Sequence, residues 1–525
     1  MKIRHFIITI TVGVNLVFYL VGWYWLLWFS VAVLLLAIYD VLQKQHTILN
    51  IYPVIGHLRY LFESIRPEIQ QYFVESNING RPFNREYRSL VYQRAKGETD
   101  TRPFGTQFDV YRSSYEWINH SLAPTKVAPQ NLKVKFGNSA CLKPYIASPL
   151  NISAMSYGAL SKNAIMALNK GAQEGGFAHN TGEGGLSPYH LKYGGDLIWQ
   201  IGTGYFGCRN EQGCFDEKQF AEKATLDAVK MIEVKLSQGA KPGHGGILPS
   251  AKLTKEIADI RNVPLGEDVI SPAAHSAFSS PKELLQFIDK LRKLSGGKPV
   301  GFKLCLGSKI EFFAIAKAIA ETNITPDFIT IDGSEGGTGA APIEFTNAVG
   351  TPLIDAIIFV HDVLIPLGMR EQVKIIASGK IISAFHIAKI IALGADAVNS
   401  ARGMMFALGC IQSRTCNTDK CPTGIATQDP ARYKFLDVND KSSRVKNYQN
   451  ATIDHLAELI GACGIDTLDD LQREHINKRK SNGQTTNYER IYPSKLVGAL
   501  SKYETIPHEW LEDWNKASSD RWLSS

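Results

Sequence analysis

Three cysteines, Cys410, Cys416 and Cys421, stand at C-x5-C-x4-C spacing in a segment that opens on Gly409 and closes on Pro422 and Gly424. Thiolates this close together suit a cubane-type iron–sulfur cluster with one open corner. Structural zinc would require a fourth ligand, which the segment does not supply. The cysteines follow directly on Gly394, Asp396, Asn399, Arg402 and Gly403, a run that reads as the last strand of a barrel and a phosphate-binding turn. The spacing therefore puts an electron carrier beside a phosphate-bearing cofactor.

A second group of residues points to which cofactor. Asp332, Gly333, Gly336, Gly337 and Thr338 close a sixth candidate strand, Gly379 and Lys380 a seventh, and Arg402 and Gly403 an eighth. Glycine lets backbone N–H groups approach phosphate oxygens, and barrels often hold phosphate after their seventh and eighth strands. One Gly-Gly turn alone would be structural; three at successive strand ends suit FMN. A flavin also needs a cation near N1 when it is reduced, and Lys303, between Phe302 and Leu304, is placed for that role. Its alternative is a pairing with a barrel carboxylate. Gln200, at the end of a third strand, is a candidate for the ring edge, against a surface glutamine.

The elements that must position these groups begin at Pro149. Short apolar runs at 149–155, 177–180, 197–201, 228–234, 299–304, 327–331, 374–377 and 396–399 each end in glycine or polar residues and lead into a helix-length amphipathic stretch. Eight such units predict a (β/α)8 TIM barrel, an α/β fold whose active site is built at the C-terminal strand ends. An open doubly wound sheet is the alternative, yet no G-x-G-x-x-G follows an early strand. About 65 residues separate the fourth and fifth strands, so this excursion is expected to be functional. It carries Gly239, Lys241, Pro242, Gly243, His244, Gly245, Gly246 and Ile247.

The barrel is expected over 146–430, after an adaptor at 41–145 and before a helical extension at 431–525 that wraps it and ends as a surface segment. Residues 1–40 differ sharply. Phe6 to Tyr39 holds no charged side chain and includes Trp23, Trp25 and Trp28. It reads as a membrane segment. As one helix it would exceed the roughly 30 Å hydrocarbon core, so a two-pass hairpin turning near Gly22 competes with a single long, tilted helix. Lys2 and Arg4 precede it and Lys44 follows; a hairpin then keeps both ends on the cytoplasmic side of the inner membrane, whereas a single pass puts the body outside. No small-residue cleavage site follows, which argues against a removable signal peptide. Eight cysteines in 525 residues are too sparse for a disulfide scaffold and favour a reducing compartment. A formal net charge of +7 without a lysine or arginine block leaves nucleic acid an unnatural partner, while anionic substrates and lipid headgroups remain.

Several motifs in order carry a family likeness. Ser153 to Ser161 with Met155 and Ser156, Asn180 to Gly185 with Glu183, Gly239 to Gly243 with Lys241, Ile270 to Pro272, Asp332 to Gly339, and Gly409 to Pro430 together resemble the FMN-binding synthase domain of the glutamate synthase large subunit. The resemblance runs over roughly 125–470. It implies an FMN barrel with Met155 and Ser156 at the cofactor and a [3Fe-4S] cluster on Cys410, Cys416 and Cys421. The implied reaction is reductive amination: ammonia and 2-oxoglutarate give 2-iminoglutarate, which hydride from reduced flavin N5 converts to L-glutamate. Lys241 and Arg261 match positions that bind the keto acid, arginine being able to grip a carboxylate in bidentate fashion. Glu183 matches the glutamate beside the imine carbon, where it would orient ammonia or move a proton.

The chain departs from that pattern where the large synthases carry an acidic residue and a glutamine; it has His244 and Ile247. One polar contact to the keto acid is then absent, and a related 2-oxo acid becomes an alternative substrate. The chain opens Met1-Lys2 without an N-terminal cysteine nucleophile, and no dinucleotide-binding module is evident. Ammonia is expected from solution or a separate glutaminase, and electrons from ferredoxin, a partner flavoprotein or a membrane donor. A competing reading is a subunit that keeps both cofactors for electron transfer or scaffolding in a membrane complex. A 2-hydroxy-acid oxidase is weaker, since such barrels need no cysteine trio. Cys208 and Cys214 read as inert, Cys141, Cys305 and Cys463 as buried small hydrophobes, and His275 as either lining the site or structural.

Overall fold

The computed structural model describes residues 3–495, 498, 500 and 506–522; Lys2, expected to flank the first helix, lies outside them. The chain divides into two compact units, Met1–Arg85 and Glu86–Ser525, so the expected adaptor is shared between them.

In the first unit the apolar stretch folds as two helices of 19 residues, α1 (Ile3–Val21) and α2 (Tyr24–Leu42), broken at Gly22, whose φ of +77° breaks the helical run. Each is about 28 Å long, close to the hydrocarbon thickness of a bilayer. They are clamped together by Asn15 and Ser30: Asn15 Nδ2 donates to the Ser30 carbonyl (3.1 Å) and Ser30 Oγ to Asn15 Oδ1 (3.0 Å). Among apolar side chains such a reciprocal polar pair fixes which faces meet. The short α3 (Thr47–Ile51) follows, then α4 (His57–Ile69), which continues through one wide turn at Gln70–Val74.

In the second unit eight parallel strands close into a barrel in chain order: β1 Leu150–Ile152, β2 His179–Asn180, β3 Leu197–Ile201, β4 Val229–Lys235, β5 Val300–Leu304, β6 Phe328–Asp332, β7 Lys374–Ser378 and β8 Ala397–Ser400. All eight lie on the expected runs. The open sheet falls as an alternative because β8 pairs back onto β1, Val398 with Leu150 and Ser400 with Ile152. Every residue of β3, β5 and β6 is buried, as strands sandwiched between a filled interior and outer helices must be.

The helices start where short polar side chains can occupy free N–H groups. Ser161, Thr254 and Ser280 each accept from the third residue on, opening Lys162–Gly175, Lys255–Arg261 and Pro281–Leu294. The long helix Val438–Ala462, capped by Asp437, packs on Lys162–Gly175; a Cβ on Gly171 would meet the Ser442 carbonyl at 2.8 Å, so that approach needs glycine. The polar stretch expected to run as a surface segment is exposed over 480–485 and forms a hairpin, Ile476–Arg479 with Thr485–Asn487, to which Glu116–Ile118 adds a third antiparallel strand. Gly483, with φ of +81°, makes its turn, and Tyr488 just beyond is buried.

Candidate active site

The excursion between β4 and β5 folds back over the strand ends. It contains a small antiparallel pair, Ile247–Leu248 with Val269–Ile270, and the helix Lys255–Arg261. Two glycines let it approach so closely: a Cβ on Gly239 would sit 1.8 Å from the Gly333 carbonyl oxygen, and one on Gly245 1.8 Å from that of Ser271. Gly239 N–H donates to Asp332 Oδ2 at 2.8 Å, which joins the excursion to the end of β6.

Glu183, in the turn after β2, is the centre of the charged group. Its carboxylate lies 2.7 Å from Lys235 Nζ at the end of β4. Burial alone would push the carboxyl up, but Lys235, helped by Lys241 and Arg261, outweighs it and holds Glu183 below its ordinary range. Lys241 is buried, donates to the Ala340 carbonyl (2.8 Å), and is brought down to about 8 by burial against the opposing pull of Glu183. Arg261, the last residue of its helix, is 4% exposed. One of its amino groups donates to the Tyr157 carbonyl (3.2 Å), its face lies over the Phe206 ring (5.0 Å), and its Nε is buried without a partner. A buried, unpaired N–H on a cation is costly unless a ligand accepts it. The structure thus brings the three expected substrate residues together, and adds Lys235.

Behind this group the barrel interior is tied by Glu233. Its Oε1 accepts from Asn180 (2.8 Å) and Gln200 (2.6 Å), its Oε2 from Thr330 (2.5 Å). Gln200, expected at a ring edge or on the surface, is buried and spends its amide N–H on this carboxylate. Glu233 and Lys235 were not foreseen. The signal was there: they alternate at the C-terminal end of a strand whose other charged residue, Lys230, has the opposite parity, and a period of two puts Glu233 and Lys235 on one face. His275 proves structural, Nε2 on the Lys235 carbonyl (2.9 Å) and Nδ1 on the Tyr205 hydroxyl (3.0 Å); burial keeps it neutral, near 4.

At the ends of β5 to β8, Lys303 lies 3.3 Å from Asp332 Oδ2, the carboxylate pairing weighed as its alternative. Burial opposes its charge, but Asp332 and Glu233 prevail and its pKa is raised. Asp332 also accepts from Ser378 Oγ at 2.8 Å. The Gly333 and Gly336 N–H groups are engaged by the carbonyls of Ser378 and Gly333, so they are not directed at a ligand. Arg402 is half-buried, bonds the Glu335 carbonyl (2.9 Å), and lies so near Gly337 that a Cβ there would be 3.0 Å from its guanidinium carbon. Burial draws it down to about 10. Gly379 and Lys380 both have positive φ, and Gly403 lies in the short helix Arg402–Ala407. Thr338 follows Gly337, while Met155 and Ser156 lie where a Cβ on Gly182 would strike the Ser156 amide at 2.7 Å.

Cys410, Cys416 and Cys421 are neighbours, each of the first two being pushed up by burial and by the charge of the other cysteines, Cys410 to about 12. Burial also raises Cys421, yet the Thr423 hydroxyl and the amides of Ala426, Thr423 and Ile425 overcome it and bring its thiol down. Two buried cations stand by: Arg88 acts on Cys410, and Lys252 bonds the Cys416 carbonyl at 3.3 Å. Among the described residues, no three His, Cys, Asp or Glu side chains are drawn together as a metal site. Cys208 is buried and Cys214 exposed, and neither is bridged.

Residues 105–466 match the family described as the conserved region in glutamate synthase. The chain belongs to the glutamate synthase family. The glutamate synthase large subunit-like protein YerD of Bacillus subtilis is 40% identical over 86% of this chain and 93% of its own length. The archaeal glutamate synthase (NADPH) of Methanocaldococcus jannaschii is 37% identical over 68% of this chain and 66% of its own. The chain is accordingly an oxidoreductase of the glutamate synthase type, the class acting on CH–NH2 donors. Among solved structures, a flavocytochrome b2 variant with benzoylformate aligns at TM-score 0.43 and 11% identity over 79% of this chain and 91% of that one, too low to carry an argument.

Proposed function

We propose that this glutamate synthase-type enzyme forms L-glutamate by reductive amination of 2-oxoglutarate, or of a related 2-oxo acid. The observation that carries the reading is the meeting of Lys235, Lys241 and Arg261 around the single carboxylate of Glu183. Three buried cations against one anion leave an excess of two, the charge of a dicarboxylate. Arg261 offers its unpartnered Nε and Lys241 its ammonium. Glu183, kept ionised, takes a proton from nitrogen as ammonia adds to the keto carbon and returns it to the oxygen, and a second such transfer lets that oxygen leave as water. The resulting imine needs a hydride and a proton to become the amine.

FMN, when bound, would supply that hydride. The residues that would hold it are Gly337, Thr338, Gly379, Lys380, Arg402 and Gly403 on the phosphate side and Met155, Ser156 and Lys303 toward the ring; Asp332, Gly333, Gly336 and Gln200, expected in that set, have their polar groups engaged within the protein. The fit is supported by the half-buried guanidinium of Arg402 beside Gly337. A [3Fe-4S] cluster on Cys410, Cys416 and Cys421 is supported by the amides turned toward Cys421 and by the buried cations Arg88 and Lys252. Electrons then come from ferredoxin or a partner flavoprotein, and ammonia from solution or a separate glutaminase. The two apolar helices α1 and α2 would tether the enzyme in the cytoplasmic membrane, with the barrel on the cytoplasmic side.

A second reading, an electron-transfer or scaffold subunit, draws support from His244 and Ile247. His244 packs edge-on against Phe345 (5.4 Å) and Ile247 pairs with Ile270, so neither offers the keto acid the acid or amide expected there. Purified protein given a chemical reductant, 2-oxoglutarate and ammonium separates the two. Glutamate formation supports the synthase; flavin reduction without product supports the alternative.

A further inference from the structure

Helix α4 carries Leu58, Leu61, Phe62, Ile65 and Ile69, spaced i, i+3, i+4, i+7 and i+11. At 3.6 residues per turn these fall in a stripe about 100° wide. None of them is covered: Leu58, Leu61 and Phe62 are 51%, 52% and 60% exposed, and Ile65 and Ile69 more than a third. Phe73, in the turn that follows, is exposed as well. Arg59 and Arg66 border one edge of the stripe, Arg59 being paired with Glu63 at 3.7 Å, and the exposed Glu68 borders the other. A stripe of this kind, left bare along a whole helix, requires an apolar medium on one side only.

The start of α4 is fixed at a definite level. Asp40, fully buried, stands two residues before the end of α2, about 3 Å along its axis. Its carboxylate accepts from the Val54 N–H (2.8 Å) and lies 2.9 Å from His57 Nε2, the first residue of α4. At the same end, Arg4 near the start of α1 reaches Asn50 Oδ1 (3.4 Å). Both ends of the apolar helix pair and the origin of α4 are therefore held together where the membrane-length segments stop.

We propose that α4 lies in the plane of the membrane surface, with its stripe of Leu58, Leu61, Phe62, Ile65 and Ile69 sunk at the headgroup–acyl boundary and lipid as its occupant. The proposal rests on the reading of α1 and α2 as a membrane hairpin. Arg59 and Arg66 line one edge of the stripe, at the height of lipid phosphates, and the long arginine stems can lie along apolar surface while their heads stay in water. Pinning at Asp40 and His57 then sets the helix at the interface beside the hairpin.

The test uses the full chain in vesicles of phosphatidylcholine and phosphatidylglycerol containing a bilayer-dissolved carbene photolabel, with labelled residues mapped by peptide mass spectrometry. Label on 3–42 and on Leu58, Leu61, Phe62, Ile65 and Ile69, sparing Arg59, Glu63 and Arg66, is the expected result. In the Phe62→Glu, Ile65→Glu double variant the label on 57–69 should be lost while that on 3–42 persists. Label on 3–42 with the stripe bare overturns the proposal and leaves the hairpin standing. So does a bifunctional reagent joining two copies through the stripe, which would make the occupant a second chain. Absence of label from both segments sinks the hairpin reading itself, and the proposal with it.

Discussion

Glu183 and Lys235 illustrate how a site of this kind is set by single residues. The carboxylate is useful as a base only while ionised, and burial works against that; the ammonium 2.7 Å away reverses the balance. Lys235→Met removes the nearest of three cations and leaves Glu183 to Lys241 and Arg261. Urea unfolding should show the loss of one charge-assisted hydrogen bond, about 1.5–3 kcal/mol, and glutamate formation should fall with it. Because the folded carboxyl lies below its unfolded value, the stability it lends is present above the ordinary carboxylate range and is lost as pH falls through the depressed value. Lys241 works in the opposite direction. Drawn down to about 8, it carries below that pH the charge proposed to grip the substrate carboxylate and loses it above. The value of kcat/KM for the 2-oxo acid should fall above pH about 8, approaching ~tenfold per pH unit. In Lys241→Arg that limb should move upward, since guanidinium stays charged.

At the scale of elements, the excursion after β4 is what assembles the site, because Lys241 and Arg261 both ride on it. Its seating depends on Gly239, where any side chain would strike the Gly333 carbonyl at 1.8 Å and break the N–H bond to Asp332. Gly239→Ala should cost about 1–3 kcal/mol or more as an overpacked contact. Denaturant midpoints measure the loss, and KM for the keto acid should rise as Lys241 is displaced. Arg261 is held by a helix of only seven residues, closed at its start by Thr254 and at its end by Asn262 in the left-handed region. Removing the cap, Thr254→Ala, should cost about 1 kcal/mol. The expected readout is a higher KM at nearly unchanged kcat, because the cation is loosened rather than removed.

At the scale of the whole molecule, the proposed membrane tether fixes the side on which the second unit should be found. A hairpin of α1 and α2, clamped by Asn15 and Ser30, returns the chain to the side on which it entered. Protease added to sealed inside-out membrane vesicles should cut within Glu86–Ser525, whereas right-side-out vesicles should protect it. The reverse pattern would place the barrel outside. Asn15→Leu with Ser30→Leu removes the clamp but keeps the apolar length; about 0.6–2 kcal/mol of helix association is at stake, so topology should persist.

The sequence by itself determined the barrel, the order of its strands and the family motifs at the strand ends. Runs such as Phe328–Asp332 and Val300–Leu304 are mostly apolar, with Asp332 and Lys303 near their C-terminal ends, and buried at every residue, as a parallel strand covered on both faces requires. It also marked Glu183, Lys241 and Arg261, because their motifs carry them. What tertiary structure decided was pairing. Lys303 meets Asp332, Gln200 meets Glu233, and Lys235 meets Glu183 across strands that are distant in sequence. A charged side chain's partner is set by barrel closure, which no local pattern encodes. The tail hairpin at 476–487 was illegible for the same reason: its strands are polar, and their stability comes from pairing with Glu116–Ile118 far up the chain.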